Sequence, residues 1–200
     1  MKQTRVLIDV WSDYVCPFCY LAEPALARIA EELAEQVEVK WHAFELRPDP
    51  VPTLDPGGEY LRDIWTRAVY PMAEQREMTL RLPPVQPRSR LALEAAEFAR
   101  EQGTFNEMNR AIFRAFFETG KGIGDREMLL GIARDVGIDG DGLLLALERG
   151  EYHQPVIADE QLAHQLGLSG VPAMLLRREG ELLEAATEIV GARRITCFDA

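Results

Sequence analysis

The arrangement that most constrains this chain is a pair of cysteines between a short apolar strand and a helix. The strand is predicted over residues 5–10 (RVLIDV), and Cys16-Pro17-Phe18-Cys19 follows it after a short turn. Apolar residues recur at helical spacing from Leu21 to Leu33, and residues 37–44 then alternate apolar and polar. The predicted order is strand, helix, strand. A right-handed crossover makes the two strands parallel, with the cysteines at the carboxyl end of the first.

A helical segment separates this unit from the end of the chain. Four prolines between residues 45 and 56 exclude regular structure and mark a linker. Helical periodicity then extends over residues 59–165, although Pro71 should kink or end the first helix. Asp125 is predicted to cap a later helix. Two short apolar runs on either side of residues 178–181 predict a final hairpin.

Charge and composition exclude several classes of protein. The chain has 200 residues and a net charge of −11, whereas binding to nucleic acid requires an excess of Lys and Arg. An anionic membrane surface would repel such a chain, and no apolar stretch reaches the roughly 18 residues of a membrane span. Residues 1–10 lack the pattern of a secretory signal, and three cysteines are too few for a disulfide framework. We therefore expect a cytoplasmic protein that binds neither nucleic acid nor membrane.

The spacing of the two cysteines suits disulfide exchange. Pro17 fits the first helical turn, where its missing N–H has no helical partner. Cys16 then lies at the helix N-terminus, where unpaired N–H groups and the helix dipole favour a negative sulfur. Cys19 follows one turn later and can close a strained, easily reduced disulfide. We expect Cys16 to be the reactive thiol and Cys19 the buried, resolving one.

Zinc binding and inert thiols are the alternatives to redox chemistry. A zinc site needs four ligands, and two cysteines supply half of them. The third cysteine, Cys197, and the histidines His42, His153 and His164 are scattered along the chain and form no second paired motif. A CxxC beside a strand-helix-strand pattern favours redox chemistry, so we expect no metal and no bound cofactor.

The order of these motifs resembles the DsbA family of proteins, and within it the cytoplasmic FrnE-type branch. The matching residues are Trp11-Ser12-Asp13, Val15 to Tyr20, Trp41 to Leu46 with Arg47-Pro48, Ala115 to Gly120, Gly170-Val171-Pro172 and Val190-Gly191-Ala192. The resemblance implies an α/β, thioredoxin-like fold with an inserted α-helical domain. Residues 1–50 and 156–200 would form the thioredoxin-like domain, and residues 51–155 the helical insertion.

The resemblance also implies the site. Pro172, for which a trans bond would be expected from the residue alone, is implied to be cis and to pack against the Cys16 sulfur. Val171 is implied to offer its backbone to an extended substrate, as in strand addition. Together with Pro17 and Phe18, Val171 is expected to bind the substrate. Asp13, just before the motif, is a further candidate that could tune proton transfer, although an exposed turn residue is the simpler expectation.

Two features depart from the family pattern. Members often carry an Asn-Thr…His pattern where an insert helix begins, but the corresponding stretch here runs from Pro87 to Glu94 without a His. The family usually continues after Gly-Ala with a full helix, whereas only eight residues follow Ala192 here. One sheet face is then expected to need another cover, which could be the helical insert, a second subunit or a tail folded back through Ile195 and Phe198. A homodimer, with Cys197 near its interface or on an exposed tail, is the cover we favour.

Three functions are compatible with these motifs. The leading one is a thiol–disulfide oxidoreductase acting on protein or small-molecule disulfides and thiols, with glutathione as a candidate redox partner. The second is a glutathione-dependent isomerase or transferase of the related kappa-class and hydroxychromene-carboxylate isomerase type, which typically carries Ser at the position of Cys16. The third is a binding or chaperone module with incidental cysteines.

Because the phenyl ring of Phe18 donates no hydrogen bond to sulfur, we expect the Cys16–Cys19 dithiol–disulfide couple to be less oxidising than that of DsbA.

For several other side chains we expect ordinary roles in the core or on the surface. The aromatic residues Trp11, Tyr14, Phe18 and Trp65 could line an apolar groove, but core packing is the expected role for most of them. His42 alternates onto the wet face of its strand and is expected to be solvated. Arg177 and Arg178 are expected to be ordinary surface charges at the hairpin turn.

Overall fold

The computed structural model describes residues 4–190, and its strands form one mixed sheet. The strands are β1 (Val6–Ser12), β2 (Val37–Ala43), β3 (Ala173–Arg178) and β4 (Thr187–Val190), in the order β2-β1-β3-β4. The predicted parallel pair is confirmed, with Val6 opposite Val37 and Ser12 opposite Ala43. β3 is antiparallel to both β1 and β4, which confirms the predicted hairpin. Its connection is longer than predicted, because a 3-10 turn over Leu183–Ala185 precedes β4 and the second strand begins at Thr187.

Helix α1 connects the parallel strands, and the other helices lie between β2 and β3. The helices are α1 (Pro17–Glu32), α2 (Glu59–Ile64), α3 (Tyr70–Gln75), α4 (Arg90–Glu101), α5 (Phe105–Phe117), α6 (Arg126–Asp135), α7 (Gly140–Arg149) and α8 (His153–Gln165). Asp125 caps α6 as predicted, because its carboxylate accepts the Met128 N–H at 3.0 Å. The α/β class with a thioredoxin-like sheet and inserted helices is confirmed. The domain boundaries stay a prediction, and α8 begins three residues before the predicted one at residue 156.

The distortion expected at Pro71 takes the form of a π turn. Residues Trp65–Val69 form this turn between α2 and α3, and Pro71 lies in the first turn of α3. The Tyr70 N–H donates to the Trp65 carbonyl, five residues earlier. The wider turn rearranges the backbone hydrogen bonds just before a residue that has no N–H, so the helical path continues past the proline.

The core divides into one part on each face of the sheet and a third inside the helical insert. Ile8 and Val10 of β1 pack against α1 through Leu26. On the opposite face Trp11 packs with Ala163 of α8. The third and largest cluster is built from the insert and includes the loop before α1. This cluster places the Cys16–Cys19 segment between the sheet and the insert.

The expectation that His42 is solvated is wrong. Its ring stacks on Trp11, with 4.4 Å between centroids, and its side chain is only 17% exposed. Nδ1 lies 2.9 Å from Asp159 Oδ1, and Nε2 lies 3.0 Å from Asp9 Oδ1. α8 covers the face of β2 that the alternation pattern assigned to solvent. Burial opposes the charge of His42, but hydrogen bonds and charges from Asp159 and Asp9 outweigh it and raise its pKa to about 9.

The two arginines at the end of β3 differ in their surroundings. Arg178 is exposed, as expected. Arg177 is 14% exposed and donates through Nε to Asp9 Oδ2 at 2.8 Å, so the expectation of a surface charge is wrong for this residue. Arg177 is opposite Leu7 in the antiparallel register, and this brings its side chain to the neighbouring strand residue Asp9.

Two other expectations concern the end of the chain. Both faces of β1 are buried among the residues that the structure describes. Cys197, the tail around it and the homodimer proposed to cover the sheet concern residues 191–200, which lie outside the described range. Within residues 4–190, no helix has both the length and the apolar character needed to cross a membrane.

Candidate active site

The loop between β1 and α1 places Cys16 at the start of the helix. Cys16 is the N-cap residue, with extended backbone angles of φ −94° and ψ 111°, and Pro17 begins the helix. The Cys16 N–H donates to the Asp13 carbonyl at 3.1 Å, and the Cys16 carbonyl accepts the Cys19 N–H at 3.1 Å. The local sequence therefore fixes both cysteines on the first helical turn, as predicted from their spacing.

The two sulfurs occupy different environments. Both cysteines are free thiols; Cys16 is 4% exposed and Cys19 is fully buried. Burial raises the pKa of Cys19 well above its ordinary value, and the neighbouring Cys16 sulfur raises it further. The Asp13 backbone N–H and the Ser12 hydroxyl act in the opposite direction, because donor groups near the sulfur favour the thiolate. Cys19 is therefore a protonated thiol at neutral pH.

The loop before β3 lies against Cys16. The Cys16 sulfur donates to the Val171 carbonyl, with 3.5 Å between the sulfur and the oxygen. The peptide bond between Val171 and Pro172 is cis. Val171 and Phe18 are both half-buried and pack against the large core cluster. The fold thus brings together residues that lie 155 positions apart in the sequence.

Asp13 is fully buried, so the expectation of an exposed turn residue is wrong. Its carboxylate accepts the Val15 N–H at 3.2 Å and the Leu46 N–H at 2.7 Å. These bonds connect the loop that carries Cys16 to the segment after β2. Burial raises the pKa of Asp13 to about 6, although its hydrogen bonds favour the ionised form. The Ser89 hydroxyl makes no hydrogen bond within the described residues, but it lies near the Asp13 carboxylate and favours the ionised form of that group.

A buried ion cluster, which sequence reasoning missed, lies behind Asp13. Arg90 donates to Glu45 Oε2 through Nε at 2.9 Å and through Nη2 at 2.8 Å, and it also lies 3.2 Å from Glu160. Arg90 belongs to the stretch where the family pattern has its histidine. In this chain the buried Glu94 of the same stretch has His153 Nδ1 3.1 Å from its Oε1. These partners are far apart in sequence, so no local spacing could have revealed them.

Ser12 was also missed as a site residue, although a signal was present. It continues the alternation of Ile8 and Val10 on the face of β1 that α1 covers. A polar residue at the end of a buried apolar stripe needs a polar partner. The Ser12 hydroxyl favours the thiolate form of Cys19 and so acts to lower the pKa of that thiol.

The aromatic candidates are mainly core residues, as expected. Trp11, Tyr14 and Trp65 are at most 3% exposed, and only Phe18 is half-buried. The Tyr14 hydroxyl donates to Asn109 Oδ1 at 3.0 Å, which ties the loop before the cysteines to α5. A small pocket next to the cysteine loop is lined instead by Val15, Leu46, Arg47, Thr53, Leu54, Gln86, Pro87, Arg88 and Ser89. Within residues 4–190, no three His, Cys, Asp or Glu side chains are grouped so that they could hold a metal ion.

Comparisons with known proteins agree with this geometry. A family model described as the DSBA-like thioredoxin domain matches residues 7–200. The Bacillus subtilis (strain 168) protein "Uncharacterized protein YwbO" is 36% identical over 177 residues, which covers 86% of each chain.

Two proteins of known structure share the fold at low sequence identity. The cytosolic disulfide reductase DsbM from Pseudomonas aeruginosa has a TM-score of 0.72 and 21% identity, over 92% of this chain and 89% of that one. DsbM with GSH matches with a TM-score of 0.68 and 21% identity, over 86% and 88% of the two chains. A 2-hydroxychromene-2-carboxylate isomerase has a TM-score of 0.76 and 16% identity, over 93% and 89%.

The family model spans nearly the whole chain, and the B. subtilis relative shares more than a third of the aligned residues. The FrnE-type branch stays a prediction. The chain belongs to the DsbA-like thioredoxin-domain family.

Proposed function

We propose that this chain is a thiol–disulfide oxidoreductase that acts through Cys16 and Cys19. The position of Cys16 is the observation that carries the proposal. Its sulfur lies at the start of α1 and 3.5 Å from the Val171 carbonyl, with the buried Cys19 one turn away. A thiol at a helix N-terminus beside a second thiol is the arrangement that an exchange reaction uses.

The reaction has two steps. The Cys16 thiolate attacks a substrate disulfide, forms a mixed disulfide and releases the first substrate thiolate. Cys19 then loses its proton and attacks the Cys16 sulfur, so that the Cys16–Cys19 disulfide forms and the second substrate thiolate leaves. Two electrons pass from the protein to the substrate, and the reverse sequence oxidises a substrate dithiol.

Val171, Pro172, Pro17 and Phe18 would bind the substrate around Cys16. The Val171 carbonyl accepts the Cys16 S–H in the free dithiol. When Cys16 bonds to a substrate sulfur, it has no proton to donate and this carbonyl is free to accept a substrate N–H. An extended peptide on either side of the disulfide would then pair with the Val171 backbone, with Pro172 and the half-buried Phe18 as apolar neighbours.

Asp13 is proposed to position the site. Its two carboxylate oxygens hold the Val15 and Leu46 N–H groups, so it fixes the loop before Cys16 against the segment after β2. Asp13→Asn should slow attack by Cys16 by loosening this loop, since an amide accepts only through one oxygen.

Redox partners and location are part of the proposal. The substrates would be protein or small-molecule disulfides and thiols. Glutathione is a candidate, because the fold-related DsbM is described with GSH bound. A cytoplasmic location accords with the description of DsbM as cytosolic. A couple less oxidising than that of DsbA is proposed because Phe18 cannot hydrogen-bond to the sulfur, and a measured potential above about −150 mV would contradict it.

Reduction of insulin disulfides tests the proposal. Wild-type protein should catalyse it, Cys16→Ser should abolish it, and Cys19→Ser should accumulate mixed disulfides. Limited iodoacetamide labelling followed by peptide mapping should modify Cys16 before Cys19. Insulin reduction that survives Cys16→Ser, or preferential labelling of Cys19, would show that the assignment is wrong.

A glutathione-dependent isomerase is the second candidate. The likeness to the 2-hydroxychromene-2-carboxylate isomerase fold is the observation that favours it. Isomerisation of that substrate in the presence of glutathione, with activity retained in Cys19→Ser, would support this candidate over disulfide exchange. A chaperone role, the third hypothesis, would leave suppression of aggregation unchanged in the variant that lacks both Cys16 and Cys19.

A further inference from the structure

The small pocket next to the cysteine loop, called the loop pocket from here on, has three walls. They come from Val15, from residues 46–54 after β2 and from residues 86–89 before α4. Val15 directly precedes Cys16, and the Cα atoms of neighbouring residues lie about 3.8 Å apart. An extended substrate advances about 3.3 Å per residue, so the residues beside a cysteine that is bonded to Cys16 come within reach of this pocket.

One buried carboxylate holds the first wall to the second. Asp13 Oδ1 accepts the Val15 N–H at 3.2 Å, and Asp13 Oδ2 accepts the Leu46 N–H at 2.7 Å. Both walls are therefore fixed to the same side chain, in the loop that leads into Cys16.

Arg88 holds the second wall to the third. Its Nη1 donates to the Arg47 carbonyl at 2.8 Å and to the Val51 carbonyl at 3.1 Å, and its Nη2 lies 3.1 Å from Asp49 Oδ1. A planar guanidinium, whose donors point in fixed directions, holds these three acceptors in one arrangement. The prolines in residues 47–52 stiffen the same stretch further, because each one fixes its φ angle.

A close approach of the backbone fixes the third wall. A Cβ on Gly124 would lie 2.8 Å from the Pro87 Cβ and 3.1 Å from the Arg88 carbonyl oxygen. The chain at Gly124 therefore packs directly against this wall and leaves it little room to move to that side. With all three walls held, the loop pocket is preorganised, and a group that enters it does not have to order the surrounding chain.

The lining of the loop pocket suits an aliphatic group. Most of its wall is apolar, and the apolar side chains are Val15, Leu46, Leu54 and Pro87. The two arginines of the lining use donors within the loop itself, because Arg47 Nη1 donates to the Pro52 carbonyl at 3.2 Å and Arg88 holds the carbonyls described above. Their carbon stems then add to the apolar wall.

The size of the loop pocket restricts this group further. The pocket measures about 40 Å³. One water takes roughly 10 to 15 Å³, so the space accepts about three water-sized groups, close to the branched end of a Val or Leu side chain. An aromatic ring is larger and would have to push the fixed walls apart, which costs free energy.

From this arrangement, and resting on the proposed function, we propose that the loop pocket is a subsite that selects peptide disulfides with Val or Leu close to the reacting cysteine. The aliphatic side chain enters the loop pocket while the substrate sulfur bonds to Cys16. Arg88 is the positioning residue that keeps the pocket to its size. Glutathione has no aliphatic side chain beside its cysteine, so the subsite favours protein disulfides over glutathione disulfide.

Mixed disulfides between short peptides and a coloured aryl thiol test the subsite. The protein has Cys19 and Cys197 replaced by Ser, so that Cys16 is its single thiol. The Cys16 thiolate attacks the peptide sulfur, the bond between the two substrate sulfurs breaks, and the aryl thiolate leaves and is measured by its absorbance. Each peptide has Ala, Val, Leu, Phe or Glu at one of the two positions on either side of its cysteine, and Ala elsewhere.

The rates should depend on the shape of one side chain. At the position that enters the loop pocket, Val and Leu should react about tenfold faster than Ala, at the low side of what added methylenes contribute in an apolar pocket. Phe should react more slowly than Leu. The adjacent position should show no preference, because consecutive side chains of an extended chain point to opposite sides. The mixed disulfide of glutathione should react no faster than the Ala peptide.

Two variants test the walls. Leu46 is 38% exposed, so Leu46→Ala should be tolerated, and it should lower the ratio of the Leu rate to the Ala rate by about threefold. Arg88→Ala frees the second wall and should bring the Phe rate up to the Leu rate. Leu145→Ala, at a side chain on α7 that is 44% exposed, is the matched control and should leave both ratios unchanged. Because each value is a ratio, a general change in the reactivity of Cys16 cancels.

Four outcomes would overturn the subsite. They are equal rates for Ala, Val and Leu at every position, a Phe rate equal to the Leu rate before any wall is changed, a Glu peptide that reacts fastest, and ratios that neither Leu46→Ala nor Arg88→Ala changes. The third would assign the pocket to a carboxylate held by Arg47. In all four cases the proposed function stands, whereas it fails if Cys16 reacts with none of the peptides.

Discussion

The helical insert and the interface between α8 and the sheet are both buried, but buried charges contribute to them to different extents. In the insert, Phe113 and Phe116 are fully buried, and Phe116 meets the ring of Phe117 with 4.8 Å between centroids. At the α8 interface, the imidazole of His42 bridges carboxylates from α8 and β1, and further ion pairs surround it. The insert is stabilised mainly by removing apolar surface from water, whereas the α8 interface combines an apolar cluster with charges paired inside the protein.

The two kinds of contact have different structural roles: apolar packing fills the interior, and buried ion pairs fix the relative positions of helices and strands. Apolar packing is non-directional and tolerates some rearrangement, whereas a buried ion pair is favourable only in good geometry. Asp159 accepts both from His42 and from the Ala43 N–H, so it fixes α8 relative to β2. α8 leads directly into the loop of Val171, whose carbonyl accepts the Cys16 S–H. We infer that the charged interface sets the position of that loop and that the insert supplies most of the folding free energy.

Truncation of a buried ring in the insert should have the largest effect. Phe116→Ala should lower the free energy of unfolding by about 3 to 5 kcal/mol, because it leaves a cavity in a fully buried cluster. Urea unfolding at pH 7 and at pH 9 measures this loss in the free energy of unfolding, which should be the same at both pH values. Phe116→Leu, which removes much less volume, is the control and should cost much less. A loss that depends on pH would show that the insert relies on the charged interface.

The pH dependence of stability should come from the charged interface. The pKa of His42 is raised from 6.5 to about 9 in the folded protein. Its contribution is therefore fully present below pH 6.5 and is lost as the pH rises through 9, by on the order of 3 kcal/mol. Urea unfolding across this window should show the decline in wild-type protein and a flatter profile in His42→Gln. Equal slopes in the two proteins would contradict the assignment.

Removal of one buried carboxylate should have a smaller effect. Asp9→Asn leaves His42 and Arg177 with one anion fewer, and should lower the free energy of unfolding by about 2 to 3 kcal/mol at neutral pH. The same measurement on Asp141→Asn is the control, because that side chain is 96% exposed and its removal should cost almost nothing. Similar losses in the two variants would show that the buried cluster contributes no more than surface charge.

The same contrast explains what could be predicted from the sequence. Helices, the parallel strand pair and the hairpin follow from apolar periodicity and turn residues, which are local signals. The placement of Cys16 and Pro17 at the start of α1 is equally local. The predicted ends of these elements lie within a few residues of the observed ones.

The charged interface could not be predicted, because its partners meet only in the folded chain. Asp9 and Arg177 are 168 residues apart, and Arg90 and Glu45 are 45 residues apart. Alternation places His42 in solvent, since a single strand cannot show which helix will cover it. The expectation of an exposed Asp13 fails for the same reason, as the Leu46 N–H that it holds comes from another strand's end.

The smallest expected effect is at the junction of the two regions. There Phe18 packs against the core cluster of the insert, and Val171 lies in the loop that follows α8 of the charged interface. If the ring of Phe18 keeps the couple from being more oxidising, Phe18→His should raise the reduction potential. One hydrogen bond to a thiolate is worth about 1.5 kcal/mol, and this corresponds to about 30 mV for a two-electron couple. Equilibration with glutathione buffers measures the shift, and Phe18→Leu, which adds no donor, should leave the potential unchanged. An equal rise in both variants would mean that packing against the insert, rather than a missing donor, controls the potential.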